Sequence, residues 1–299
     1  MTVPSGIIVI NKPVGITSHN CISKLRWLLK EKKVGHCGTL DPMASGVLPI
    51  MVGSAVKASE YLVNHDKRYF AGIELGITSA TEDILGEILS EHIGVLPTFE
   101  EFASAARSFE GEILQTPPMY SALKVGGVKL IDLAREGVTV ERNARSVKIY
   151  SCEPSQREGE YFLDVRCSRG TYIRTLCADI GKKLGCGAVM SSLVRKEVGV
   201  FKEEDAIVFD DLNDMPIEEI FSHIIPVERM FMHLPEARLD EFYDRLYRQG
   251  QKIRLWKLNG IEGNVGDTYR IYDENGFYSI GEITEIEGKK YFYQKKSFA

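Results

Sequence analysis

The apolar residues of this 299-residue chain come in short runs. The longest, GIIVI at 6–10 and VLPIMV at 47–52, fall far below the roughly 20 residues that a membrane-spanning helix needs. They have the length of buried strands instead. In YFLDVRCS (161–168), Tyr161, Leu163, Val165 and Cys167 alternate with Phe162, Asp164, Arg166 and Ser168, the two-residue period of a strand. Residues 68–77 and 84–89 read as two further strands separated by the polar TSATED, and GAVMSSLVRKEVGVF (187–201) is again β-rich.

Helical spacing interrupts these strands. Ser18 is the expected N-cap of a helix carrying Ile22, Leu25, Leu28 and Leu29 on one face. Thr98 and Glu101 form a capping box ahead of Phe99, Phe102, Ala106 and Phe109, with Gly111 as the stop. The turn SRG (168–170) leads into a third helix with Ile173, Leu176, Ile180 and Leu184 aligned. Strand pairs interleaved with helices predict an α+β fold with a mixed, largely antiparallel sheet flanked by helices. The texture changes near residue 235. Residues 238–249 suit one helix, and short strands follow, with Asn275-Gly276 in IYDENGFYSIG as a hairpin signal. The expected division is therefore residues 1–234 and a compact β-rich module at 235–299, lengths that allow each its own core.

Charge leaves a nucleic-acid partner open. The net charge is −5, but residues 201–220 alone carry eight acids and one lysine. Lys24, Arg26, Lys30, Lys32 and Lys33 crowd the stretch before His36. Such a run is commonly a solvated helix face, and it also suits a phosphate-holding rim. The six cysteines show no C-x-x-C pair and no zinc-type pairing with histidine, as expected of reduced thiols in a cytosolic protein. The N-terminus lacks a basic patch followed by a long apolar core, so no signal peptide is expected.

In GHCGTLDPMASGVLPI (35–50) one carboxylate, Asp41, stands among glycines and apolar residues. An aspartate before proline is commonly a turn-former. Gly35 and Gly38, however, allow close approach of a ligand, and Leu40 and Val47 supply a dry wall. A carboxylate buried there stays ionised only beside a cation or several donors. Arg174, in RGTYIRT (169–175), lies one step off the apolar stripe of its helix and is a candidate partner some 130 residues away.

The same stretch, with NKPVGITS upstream, resembles the signature of the TruB family of pseudouridine synthases. The resemblance continues through DKRYFAGIELGITSATEDILGEI (66–88), TPPMYSALKVGGVKL (116–130), LAREG (133–137) and CSRGTYIRTLCADIGKKLGCGAVMSSLVRKEVGVF (167–201), covering most of residues 6–201 in order. It implies a tRNA-specific enzyme converting uridine-55 of the T-loop to pseudouridine, with the target base flipped out of its stack. On this resemblance Asp41 is the catalytic aspartate and Arg174 the arginine paired with it. Tyr69 stacks on the flipped uracil, Tyr172 and Leu193 enclose the base, and His36 inserts into the T-loop. Lys12, between Asn11 and Pro13, reads as a support of the site loop or of a phosphate, and equally as a solvated turn lysine. No metal or organic cofactor is implied. The implied partner is the T-arm of tRNA, in the cytoplasm and away from membranes. A monomer is the expectation.

Cys37, Thr39 and Ser45 depart from the commonest family pattern, each by a small side chain. Residues 235–299 loosely resemble the PUA RNA-binding domain in place, size and hairpin content. Their eleven basic and eleven acidic residues suit docking on one RNA stem. Two rival readings stand beside this one: a tRNA-folding chaperone whose catalysis is dispensable, and an aspartate-dependent hydrolase. The hydrolase would need a second carboxylate or a metal near Asp41, which the 35–50 loop does not supply.

Overall fold

The computed structural model describes residues 3–63, 65–121 and 123–299. At its centre lies a ten-stranded sheet. Its principal strands are β1 (Gly6–Lys12), β2 (Val34–His36), β3 (Ala44–Val52), β4 (Lys67–Leu75), β5 (Gly111–Gln115), β6 (Arg145–Arg157), β7 (Glu160–Cys167), β8 (Ala188–Val198) and β9 (Ala206–Val208). The order is β9-β1-β3-β8-β4-β7-β6-β5, with parallel joins only at β1–β9 and β3–β8 along this path. β1 takes one edge of β3 along Gly46–Val52. The other edge is divided, with β8 against Ala44–Gly46 and β2 against Ile50–Val52. The Asp41 loop connects β2 to β3 beside this divided edge.

Helices α1 (Ser18–Leu29), α2 (Phe99–Arg107) and α3 (Ile173–Leu184) cover one face. Their Ile22, Leu25, Phe102, Ala106, Leu176 and Ile180 share an apolar core with Ile8, Ile10, Leu48, Ile50, Leu163 and Val165 of the sheet. On the opposite face Ile7, Val9, Val47 and Met51 pack with Ala55, Leu62, Met230, Phe231, Ile280 and Phe298. β1 is thus buried on both sides, which is why GIIVI is apolar without alternation. Ile280 lies in a five-stranded C-terminal sheet and Phe298 directly follows its last strand; the separate core of that sheet gathers Tyr247, Ile271, Ile283 and Phe292.

Several expected boundaries shift for local reasons. The N-cap of α1 is Thr17 rather than Ser18: Thr17 Oγ1 accepts from Asn20 N at 3.1 Å, and Asn20 Oδ1 accepts from Thr17 N at 2.8 Å. Ser18 is buried and bonds a distant loop instead. The Thr98–Glu101 capping box is present, but α2 ends at Arg107, and Gly111 opens β5 rather than stopping the helix. The strand expected at 84–89 forms only over Ile88–Glu91, exposed and paired with Ile77–Ser79. In the C-terminal hairpin Glu274 and Asn275 make the turn, Asp273 Oδ1 accepting from Asn275 N at 2.7 Å, while Gly276 takes φ +115° on the next strand. The helix expected at 238–249 spans Glu241–Arg248.

Gly46 is the tightest point of the β3–β8 join. Its φ is +103°, and a Cβ there would stand 2.3 Å from the carbonyl oxygen of Arg195, its cross-strand partner. Gly46→Ala is expected to destabilise the fold by about 2 kcal/mol or more, through backbone strain and overpacking together. Denaturant unfolding measures this; an unchanged midpoint and slope would show that the join yields without cost.

Candidate active site

The loop after β2 is held from several sides. Gly38 turns it with φ +77°. Ser18 Oγ grips Leu40 at both ends, accepting from its N at 2.9 Å and donating to its O at 3.1 Å. The carbonyl oxygens of Asp41 and Pro42 accept from Ala44 N at 3.0 Å and Gly15 N at 2.8 Å. With its backbone fixed, Asp41 presents its carboxylate to Arg174, in the first turn of α3.

The two side chains meet at 3.0 Å, Arg174 Nη2 to Asp41 Oδ2. The same Nη2 donates to Tyr120 O at 3.0 Å, and Nη1 donates to Thr81 O at 3.0 Å and lies 3.5 Å from Asp83 Oδ2. Arg174 is only 7% exposed and Asp83 11%, whereas Asp41 is 43% exposed. The expected pairing therefore forms, but the acid does not lie in a dry recess. It faces an open cavity of about 730 Å³.

Tyr69 of β4, Leu193 of β8, and Tyr172, just before α3, line that cavity together with Asp41 and Arg174. Tyr172 is fixed through its backbone: Gln115 Oε1 accepts from its N at 2.8 Å and Gln115 Nε2 donates to its O at 3.0 Å. Burial raises the Tyr69 phenol above its usual range, keeping it neutral. Arg145 and Arg169 stand at the rim.

His36 is not brought to the cavity. It ends β2 opposite Ile50, half-buried, and its Nδ1 has no hydrogen-bond partner among the described residues. Burial, then the charge of Arg195 and a contribution from His19, lower its pKa and favour the neutral ring. The solvated reading of Lys12 is overturned. Its side chain is fully buried, and Nζ donates to Pro13 O and Ile16 O, both at 2.8 Å, bracing the turn beside the Asp41 loop. Burial lowers its pKa, opposed by Cys21 and Asp41. Of the basic run, Arg26 donates to Val34 O at 2.7 Å, while Lys30, Lys32 and Lys33 are exposed.

Two charged neighbours escaped the sequence reading. Asp83 sits in TSATED, where nothing distinguishes it from a solvated turn acid. Arg195 had a usable signal, because the two-residue strand period puts it on the same face as Leu193. The cysteines are free and buried, and burial pushes the thiols of Cys21 and Cys37 up to about 11, which removes them as nucleophiles. Among the described residues no three His, Cys, Asp or Glu side chains cluster as metal ligands, and no helix is long and apolar enough to cross a membrane.

Residues 26–173 match the family model for the TruB family pseudouridylate synthase N-terminal domain, and residues 174–232 that for the tRNA pseudouridylate synthase B C-terminal domain. A curated protein named tRNA pseudouridine synthase B, from Clostridium tetani, is 41% identical over 96% of this chain and 98% of its own. Its namesake from Clostridium acetobutylicum is 43% identical over 95% and 97%. Among solved structures, a Cbf5-Nop10-Gar1 complex aligns with a TM-score of 0.72 and 28% identity, over 98% of this chain and 85% of that one. An H/ACA RNP bound to a substrate RNA containing 2′-deoxyuridine aligns with a TM-score of 0.70 and 25% identity, over the same shares. With both family models matched across residues 26–232 and relatives above 40% identity along almost the whole length, the chain belongs to the TruB family of pseudouridine synthases.

Proposed function

We propose that this protein isomerises uridine-55 in the T-loop of tRNA to pseudouridine, with Asp41 as its catalytic carboxylate. The observation that carries the reading is the Asp41–Arg174 pair at 3.0 Å, one side sealed and the other opening into a cavity large enough for a nucleoside. A tRNA chaperone would have no use for that pair.

The everted uridine enters with its base against Tyr69 and between Tyr172 and Leu193. The bond from C1′ to N1 breaks, the uracil turns inside the cavity, and C5 bonds to C1′. C5 then gives up a proton and N1 gains one, so nothing is added overall. Asp41 starts the sequence either by attacking a carbon of the nucleotide or by taking the C2′ proton to form a glycal. Both routes need a carboxylate oxygen left free for the nucleotide, and Arg174 meets that need by holding Oδ2 from one side only. His36, outside the cavity, is assigned to the T-loop space that flipped bases vacate. One chain supplies every group named, which fits action as a monomer in the cytoplasm.

Residues 235–299 are proposed as the PUA-like module that docks on the tRNA stem. The short 3-10 helix Leu255–Lys257 exposes Trp256, with Lys257 5.5 Å from its ring and Lys289 at the edge of the adjoining hollow. Truncation is a poor test, because Ile280 and Phe298 belong to the core of the main sheet.

Three outcomes are expected. Asp41→Asn should bind unmodified tRNA transcript within about twofold of wild type and lose at least a thousandfold in single-turnover conversion, on the order expected for a lost acid–base or nucleophilic group; conversion within tenfold of wild type would remove Asp41 from the chemistry. Arg174→Lys, which offers one point charge to four oxygens, should slow conversion by roughly a hundredfold, and an unimpaired rate would refute the pairing. Lys257→Ala with Lys289→Ala should reduce the slope of log affinity against log salt by about 1.4 to 1.8 without changing the rate at saturating tRNA; an unchanged slope would place the docking face elsewhere.

A further inference from the structure

Arg195 is among the largest fully buried side chains of the described residues, 1% exposed, and none of the described carboxylates pairs with it. Its Nε donates to Val47 O at 2.8 Å and its Nη2 to Gly38 O at 2.9 Å. Tyr69 stands opposite it across the β8–β4 ladder, lines the same cavity and interacts with the guanidinium through its hydroxyl. A buried charge held only by neutral acceptors is costly, and an apolar residue of similar volume would commonly serve stability as well. Something other than stability accounts for the guanidinium there.

Its two acceptors and Tyr69 lie on three different pieces of the site. Val47 belongs to β3, Gly38 begins the loop that carries Asp41, and the Tyr69 ring lines the cavity. The planar fork has donors along several fixed directions, so one side chain sets the distance and angle between loop and ring. We propose that Arg195 is a positioning residue that holds the Tyr69 ring and the Asp41 loop in register with each other, acting on the chemical step rather than on RNA capture. This rests on the function proposed above in one respect only: the step whose rate it governs.

The test uses Arg195→Lys, Arg195→Gln, Tyr69→Phe and the double variant Tyr69→Phe/Arg195→Gln in the full chain, with unmodified tRNA transcript. The expected result is a loss of thirtyfold or more in single-turnover conversion for both Arg195 variants, with tRNA affinity within about twofold and folded protein at the assay temperature. Because Tyr69 and Arg195 are cross-strand neighbours and Tyr69→Phe already removes the hydroxyl beside the guanidinium, the double variant should be markedly faster than the product of the two single losses implies. A purely structural Arg195 gives rates that follow the folded fraction, or losses that multiply independently; either result overturns the proposal. The aromatic NMR signals of Tyr69 give a readout independent of turnover. In Arg195→Gln they should shift and broaden relative to wild type, and unchanged signals refute the positioning role whatever the activity. Absence of conversion by the wild type would instead refute the proposed function, and the NMR comparison would still decide Arg195.

Discussion

One buried guanidinium organises the cavity. Arg174 contacts Asp41, the Thr81–Asp83 turn and the Tyr120 carbonyl, stretches that share no local sequence, from the base of α3. Taking such a cation out of water is costly unless its donors are satisfied, and both terminal nitrogens are. The cavity therefore exists only when the loop after β2, the turn beyond β4 and the segment beyond β5 have all been brought to α3. Assembly of the site is coupled to completion of the sheet rather than added afterwards.

The second organising fact is that the sheet is covered on both faces. Three helices supply one cover, and the other comes from residues 53–63, 227–231 and the C-terminal sheet. The C-terminal sheet is not a tethered appendage: Phe298 shares an apolar cluster with Ile7 and Val47, and Lys296 reaches Glu60 at 2.6 Å. The docking face proposed above is thereby held in a set geometry to the cavity.

Much of this was legible in the sequence, for identifiable reasons. Alternation in YFLDVRCS, the continuous GIIVI run and the Thr98–Glu101 capping box are local signals, and β7, β1 and α2 follow them. Family resemblance brought Asp41, Arg174, Tyr69, Tyr172 and Leu193 together, and all five line one cavity. What escaped depends on non-local geometry. Ser18 and Thr17 are equivalent as caps until a distant Leu40 backbone claims one of them. Asp83 in a polar turn carries no mark of the arginine it faces. Lys12 reads as a turn residue because nothing nearby in sequence shows that Pro13, Ile16 and the sheet close over it. His36 was placed by resemblance, which gave it a role without locating it, and it lies beyond the cavity wall.

The sealed cysteines have a practical corollary. Cys37 adjoins the Asp41 loop and donates to Ser59 O at 3.0 Å, whereas Cys167 and Cys177 lie deep in β7 and α3. None is accessible in the closed molecule, so alkylating reagents will act as clocks of transient opening instead of as inhibitors. A probe that modifies Cys37 before Cys177 would time the breathing of the Asp41 loop against the unravelling of the whole domain, within one polypeptide and with no engineered label.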